Sequence, residues 1–477
     1  MRVHTNLKTN LSYVNDKIDS DDVATLHLTI GNSTGALIFA KDIVDQSAIG
    51  ELVLKPLREF NGTPTLKTLD DIFLSPEKRL LDDLDETLDS MVNGEAVLLI
   101  DGISKVFSFG LRKFEKRSIS EPPTFTVIKG PREGFNESLP VNISLMRRKL
   151  KTTDLTFENL KVGKYSKTPV SLVYIKGIVD PCLVESLKKR LQEIQVDAVL
   201  DSSYITKSLG EHKQSLFKQV GNTEKPDILA SKILEGRVGI LVDGSPIALS
   251  VPYLLIEDFQ SPSDYYSSSY SATVSRILRI ISVVISLLLP SFFVAAELYH
   301  LQLIPLSFLL TIVNSIKGIP LSPSYEMFFT LLIFEILNEA SVRMPRYVGM
   351  VVSIVGGLVL GETAVTAGII SAPTLMIVAF SGICLYTVPE LEQTFSVLRL
   401  VFLIIAGGLG AYGLLIFSAL LLVYLVTFEN YSTPICAPFS PLIKEDLDDS
   451  FYKGFFAEQS TTPKSIQPNK LTHGEQR

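Results

Sequence analysis

The sequence predicts an α+β N-terminal region of two related α/β subdomains, followed by an α-helical polytopic membrane domain. Three observations carry this. From Ile280 to Phe428 the chain reads ISVVISLLLPSFFVAAEL, VGMVVSIVGGLVLGETAVTAGII, PTLMIVAFSGICLYTV and FSVLRLVFLIIAGGLGAYGLLIFSALLLVYLVTF. A helix needs about 20 mostly apolar residues to cross a ~30 Å hydrocarbon layer, and several of these stretches reach or approach that length. Second, the front half repeats itself: ALIFAKDIVDQ from Ala36 matches SLVYIKGIVDP from Ser171, and MVNGEAVLLIDG from Met91 matches ILEGRVGILVDG from Ile233. Third, each copy runs from a β-branched strand into a helix and closes on a hairpin.

The boundaries that follow are 1–120 for the first cytoplasmic subdomain, 121–170 for a linker with a charged helix, and 171–260 for the second subdomain. A membrane domain of about four to six spans covers 276–430, and 431–477 forms a partly disordered cytoplasmic tail. The two matches lie at nearly equal separations, as a duplicated domain requires and a short solenoid period does not. In the first copy SAIGELVLKPLREF is the helix. In the second, Leu183, Leu187, Leu191 and Ile194 fall at helical spacing with Lys188, Lys189 and Arg190 outward. Asp101-Gly102 and Asp243-Gly244 are hairpin turns, and Gly94 and Gly236 end helices where a left-handed residue is needed.

In the linker, Asn142 to Leu150 reads as a short helix. Arg132 with Glu133, and the Arg147/Arg148 pair, are candidate contacts with another subunit or domain; a solvated charged linker is the equal alternative. The turns at Gly130 and Gly134 lack the Gly-Lys-Ser/Thr of a phosphate loop. Tyr265, Tyr266 and Tyr270 suit a membrane interface, and Arg276 and Arg279 favour a cytoplasmic start to the first span, Ile280–Ala296.

Within the apolar half, LQLIPLSFLLTIVNSI is short and interrupted by Pro305, so it reads as a half-span or an interfacial helix. SYEMFFTLLIFEILNEASVRMPRY places Glu335, Glu339 and Arg343 on one face at steps of four. Charges at membrane depth normally face a bundle interior or a watery path; an interfacial amphipathic helix is the other reading. In the helix 348–370, Gly349, Ser353, Gly357 and Gly361 form a small-residue ridge that predicts burial in a helix–helix contact. Ser353 and Glu362 add polar atoms that could line a pore. Phe395–Phe428 would be ~51 Å long as one helix, which predicts a break at Gly407-Gly408-Leu409-Gly410.

Composition excludes several classes. The 46% hydrophobic and 20% charged residues average over two unlike halves. The net charge of −7 is spread out, and without a basic tract nucleic acid is not an expected partner. No apolar core of signal-peptide length stands near the start, so the soluble half is not expected to be exported. Cys182, Cys384 and Cys436 give neither a disulfide framework nor a zinc spacing, and the five histidines lie far apart. No metal, cofactor or catalytic residue is expected. Gly408, Gly410 and Gly413 spell G-x-G-x-x-G without a preceding strand, and Ser215 to Lys218 match S-x-x-K without its companion motifs. The chain therefore reads as a non-enzyme.

The stretches IKGPREGFNESL, MRRK, SLVYIKGIVDP, ILEGRVGILVDGSP, FQSPSDYY and FEILNEASVRMPR followed by VGMVVSIVGGLVLGETAV stand in an order that resembles the A subunit of bacterial spore germinant receptors, over about residues 100 to 440. The resemblance implies a multi-pass protein of the spore inner membrane, with its N-terminal region cytoplasmic. It implies a transporter-like, nutrient-binding B subunit and a lipoprotein C subunit as partners, and assembly with further copies into a channel that releases ions when nutrients bind. Glu362 departs from the family pattern, where an uncharged polar residue is expected. A secondary transporter carrying its own solute is the alternative; it would need repeats in the membrane half, and the repeat lies in the other half.

Overall fold

The structure, a computed structural model, describes residues 1–73, 75, 77–112, 130–344, 357, 359, 361–453 and 463–466. Met1–Tyr253 together with Asn430–Thr433 and the described residues 463–466 form one compact unit; Leu254–Glu429 with residues 434–453 form another.

The first unit holds two five-stranded sheets of one topology. β1 (Val23–Ile30), β2 (Ser33–Ala40), β3 (Lys78–Leu81), β4 (Ala96–Ile100) and β5 (Val106–Phe109) lie in the order β1-β2-β4-β5-β3, all antiparallel. β6 (Leu155–Val162), β7 (Thr168–Ile175), β8 (Gly221–Thr223), β9 (Val238–Val242) and β10 (Ala248–Val251) repeat it as β6-β7-β9-β10-β8. β6 falls in the stretch read from sequence as linker. Its TFENLK alternation presents too few apolar residues to announce a strand, yet Leu155 and Phe157 are fully buried. Residues 130–162 thus open the second subdomain.

Strand alternation sends side chains to both faces, and both faces are covered. On the first sheet Leu37 and Leu98 pack with Phe73, Phe107 and Phe109 under the helical stretch 46–59 and the helix Leu66–Ile72. Ala36, Ile38, Val97 and Leu99 pack under the helices Leu7–Lys17 and Leu84–Val92. The second sheet does the same, with Leu172, Ile240 and Val242 under Pro181–Gln192 and Ser202–Leu209, and Val173, Ile175 and Leu241 under Leu139–Lys149 and Pro226–Leu234.

A polar latch closes each copy. In the first, the buried Asn10 side chain accepts from His4 N–H (2.9 Å) and donates to His4 C=O (2.7 Å), Asp101 accepts from Leu7 N–H (2.9 Å), and Gly102 N–H donates to Thr5 C=O (2.8 Å). In the second, Asn142 and Asn136 make the same pair at 2.9 and 2.7 Å, Asp243 accepts from Leu139 N–H (3.0 Å), and Gly244 N–H donates to Glu137 C=O (2.7 Å). Gly102 and Gly244 turn at φ +85° and +83°, a region open to glycine without a Cβ penalty.

The two subdomains meet on the β6 edge. Asp21 N–H donates to Phe157 C=O (2.9 Å), and Arg147 reaches Asp22 through Nε and Nη2, both at 2.8 Å, with side-chain exposures of 2% and 1%. Half-buried Asp42 stands nearby. Burial first, and the charge of Asp22 second, push its carboxyl up to about 6. The folded chain therefore holds a proton that the unfolded chain has already released. Stability from this group is present below about pH 4 and is lost as pH rises through 6. Asp42→Asn should stabilise the protein at pH 7–8 by about 1 kcal/mol after solvent screening and leave it unchanged near pH 4. Denaturant unfolding at the two pH values measures this.

In the second unit, helices span Ser269–Tyr299, Leu306–Ile316, Pro323–Arg343, Gly361–Thr366, Ala372–Leu385 and Glu392–Thr427. Among the described residues, Ser269–Tyr299 and Pro389–Thr427 are long and apolar enough to cross a membrane by length and composition; Leu306–Ile316 and Ala372–Leu385 are shorter apolar helices. Pro305 caps the start of Leu306–Ile316, and Pro290 lies inside the first long helix. The expected break falls at Gly410, which leaves the helical region at φ +61°, ψ −150°. A Cβ there would lie 2.8 Å from Tyr299 Cδ2, and the Tyr299 hydroxyl donates to Gly407 C=O (2.8 Å). The residues after Pro434, read from sequence as a tail, are folded through Lys453, with a 3-10 turn at Lys444–Asp449.

Candidate functional site

The helix Glu392–Thr427 carries one charged side chain beyond its first residue, Arg399. It is fully buried. Its Nη2 donates to Glu335 on the helix Pro323–Arg343, and its Nη1 donates to Ser381 Oγ (3.0 Å) on the helix Ala372–Leu385. Ser381 Oγ in turn donates to Ser286 C=O (3.0 Å) on the first long helix, and Ser396 Oγ donates to Glu335 (3.0 Å). The guanidinium also stands 5.8 Å over the Phe334 ring. Gly382 makes room for that ring: a Cβ there would lie within 2.2 Å of Phe334 Cζ. Four helices thus converge on one ion pair. Among the described residues, Arg399 Nε and the Ser286 hydroxyl are buried without partners, so the cluster is more polar than its packing satisfies. A buried ion pair is weak as a stabiliser, since desolvation offsets its Coulomb energy. Polar groups kept in an apolar bundle against that cost point to function.

A second polar point lies on the helix Pro323–Arg343. Glu326 is 1% exposed and accepts from the backbone and hydroxyl of Ser371, both at 2.7 Å, at the start of the helix Ala372–Leu385. A third joins the segment before the first long helix to residues 449–453. Asp264 accepts from Arg279 (2.7 and 2.9 Å) and Arg276 (3.3 Å), while Arg276 Nη1 donates to the backbone carbonyls of Asp449 (2.8 Å) and Ser450 (3.1 Å). Burial would raise the Asp264 carboxyl, but the Arg279 hydrogen bond, the Ser261 N–H and the two arginine charges outweigh it and hold it below its usual range. Lys453 Nζ donates to Asp264 C=O (2.7 Å), and burial lowers its ammonium.

The residues singled out from sequence scatter across these features. Glu335 enters the Arg399 cluster. Glu339 and Arg343 do not; they pair with each other at i,i+4 (2.7 Å) and are exposed. Glu362 is exposed. Gly361 is buried, with a Cβ position 3.2 Å from Leu375 Cδ2, and Gly357 is exposed with nothing within 4 Å among the described residues. Gly349 and Ser353 lie outside the described residues. In the first unit Arg132 is exposed, and Glu133 pairs with Arg148 (2.5 Å) and Lys149 (3.0 Å). Arg147, a candidate subunit or domain contact, is buried against Asp22 of the first subdomain and lies 4.9 Å from the Phe157 ring centroid. Sequence reading missed Arg399, Ser381 and Glu326. The signal for Arg399 was its solitude: no other charge stands between Glu392 and Glu429.

Residues 8–465 match the family described as Bacillus/Clostridium GerA spore germination protein. Spore germination protein KA of Bacillus subtilis (strain 168) is 33% identical over 469 residues, covering 95% of this chain and 86% of the relative. A protein of the same strain named as the uncharacterized membrane protein YfkQ is 32% identical over 459 residues, covering 94% and 89%. The crystal structure of the N-terminal domain of the A subunit of the Bacillus megaterium spore germinant receptor GerK3 is 30% identical. It covers 54% of this chain and 98% of that one, with a TM-score of 0.43. With nearly the whole length matched, the chain belongs to the GerA family of spore germination proteins.

Proposed function

We propose that this chain is a non-enzymatic, multi-pass subunit of a nutrient receptor in the spore inner membrane, which turns nutrient binding into ion release as part of an oligomeric channel. The helical unit lies in lipid, and the α/β unit stands on the cytoplasmic side. A transporter-like B subunit binds the nutrient, and a lipoprotein C subunit completes the receptor. The observation that carries this reading is the Arg399–Glu335–Ser381 cluster, a set of charges and hydroxyls joined across neighbouring helices and buried among them. Arg276 and Arg279 support the orientation, because the orienting bias counts Lys and Arg near a span, and not net charge. The exposed Gly357 supports assembly, since a bare glycine surface admits a neighbouring helix closely.

Liposomes holding the chain alone, and then with its partner subunits, test the proposal. Nutrient-evoked ion flux without uptake of the nutrient is the expected result. Uptake of the nutrient, with any ion flux coupled to it, would instead assign a secondary transporter, and no flux under any nutrient would leave a scaffold.

A further inference from the structure

Asn430–Thr433 follow the last long helix in sequence, yet their contacts place them in the α/β unit. They form a hairpin tip, and its two central residues, Tyr431 and Ser432, both adopt left-handed backbone at φ +51° and +57°. That is the geometry of a tight hairpin turn that ordinarily takes Asn-Gly or Asp-Gly. For tyrosine and serine it is disfavoured, and such conformations persist where the surroundings over-determine them. A two-residue ribbon has no stability of its own.

The surroundings are on the second subdomain. The Tyr431 ring lies 4.8 Å from the Arg190 guanidinium and packs against the core cluster of the second sheet. Its hydroxyl donates to Leu209 C=O (2.9 Å), and its N–H donates to Glu211 Oε2 (2.9 Å). Arg190 bridges the same two partners, donating to Leu209 C=O (3.1 Å) and to Glu211 Oε1 (2.6 Å). Asn430 is fully buried and donates to Gln219 C=O. Burial, the largest influence, pushes the Tyr431 hydroxyl up to about 12, so it stays a donor at any working pH. Arg190 was read from sequence as outward; the tyrosine covers it.

The helix Glu392–Thr427 ends three residues before Asn430. A link that short spans at most ~10 Å and takes up little movement. Resting on the receptor reading above, we propose that the Tyr431 hairpin is a coupling peg. Seated in the Arg190–Glu211 socket, it passes displacement of the last helix to the second α/β subdomain.

The test uses the full chain, in spores and purified in detergent. Tyr431→Ala should slow nutrient-triggered germination by ~10-fold or more, within the range of ordinary coupling between sites, with unchanged amounts of the protein in the membrane. Amide exchange over 429–435 should accelerate by ~100-fold as the tip undocks. Tyr431→Phe keeps the ring and should stay within ~3-fold of the parent. If Tyr431→Ala fails to accumulate, Glu211→Gln, which weakens the socket from the other side, is read in the same way. Faster exchange with unchanged germination would overturn the proposal, as would fast exchange in the parent. Both readouts stand apart from ion flux, so an absent current would overturn the channel reading and leave the peg to be judged by germination and exchange.

Discussion

Replacing Glu335 with alanine is expected to abolish nutrient-triggered germination and to destabilise the helical unit by about 3–5 kcal/mol, because it leaves the Arg399 guanidinium buried without its carboxylate. The guanidinium cannot turn to water, being fully buried among four helices. Arg399→Met alone should cost less, because it leaves a carboxylate that is 22% exposed and still accepts from Ser396. The double replacement Glu335→Met with Arg399→Met should recover most of the stability, as apolar substitutes for buried pairs often do, while germination stays lost. Thermal unfolding in detergent gives the first quantity and spore germination the second. A double variant that germinates normally would show the pair to be packing alone and would remove the main support for the ion-path reading.

Asp22→Ala is expected to have an effect of similar size in the α/β unit. It strips both 2.8 Å hydrogen bonds from Arg147, whose side chain is 2% exposed, and leaves that charge between the two sheets. The cost for a broken buried pair is about 3–5 kcal/mol, or a fall in melting temperature of roughly 10 °C for a unit of this size. Arg148→Ala, one residue on, provides the contrast. Arg148 is half-buried and shares Glu133 with Lys149, so its loss should cost under ~1 kcal/mol. Denaturant unfolding of the two variants side by side makes the comparison. Equal losses would mean that Asp22–Arg147 is not what joins the subdomains.

These contrasts mark what the sequence could disclose. Features set by one residue's own chemistry were legible: the left-handed glycines at 94, 102, 236 and 244, the break in the last apolar run at Gly410, and the paired strands ahead of the Asp-Gly turns. Features set by a distant partner were not. RRK in the helix Leu139–Lys149 reads as three solvated cations until Asp22 is known to face the first of them. Spacing put Glu335, Glu339 and Arg343 on one face, but only the neighbouring helix decides which of the three meets Arg399. The strand Leu155–Val162 was hidden by its edge position, where every second side chain faces away from the core and reads as polar. The Asn10 and Asn142 latches escaped because a lone asparagine near a helix start is commonplace, and its meaning lies in the backbone it clasps.

Those latches bear on how the protein is made. Each clasps the opening residues of its copy to the Asp-Gly turn of the same copy, so neither copy waits for strands from the other. Once the strand ending at Phe109 has left the ribosome, the first copy has every segment it needs to close. It can fold as a nascent domain while the hydrophobic helices are still unsynthesised, so those helices emerge behind a domain that is already compact.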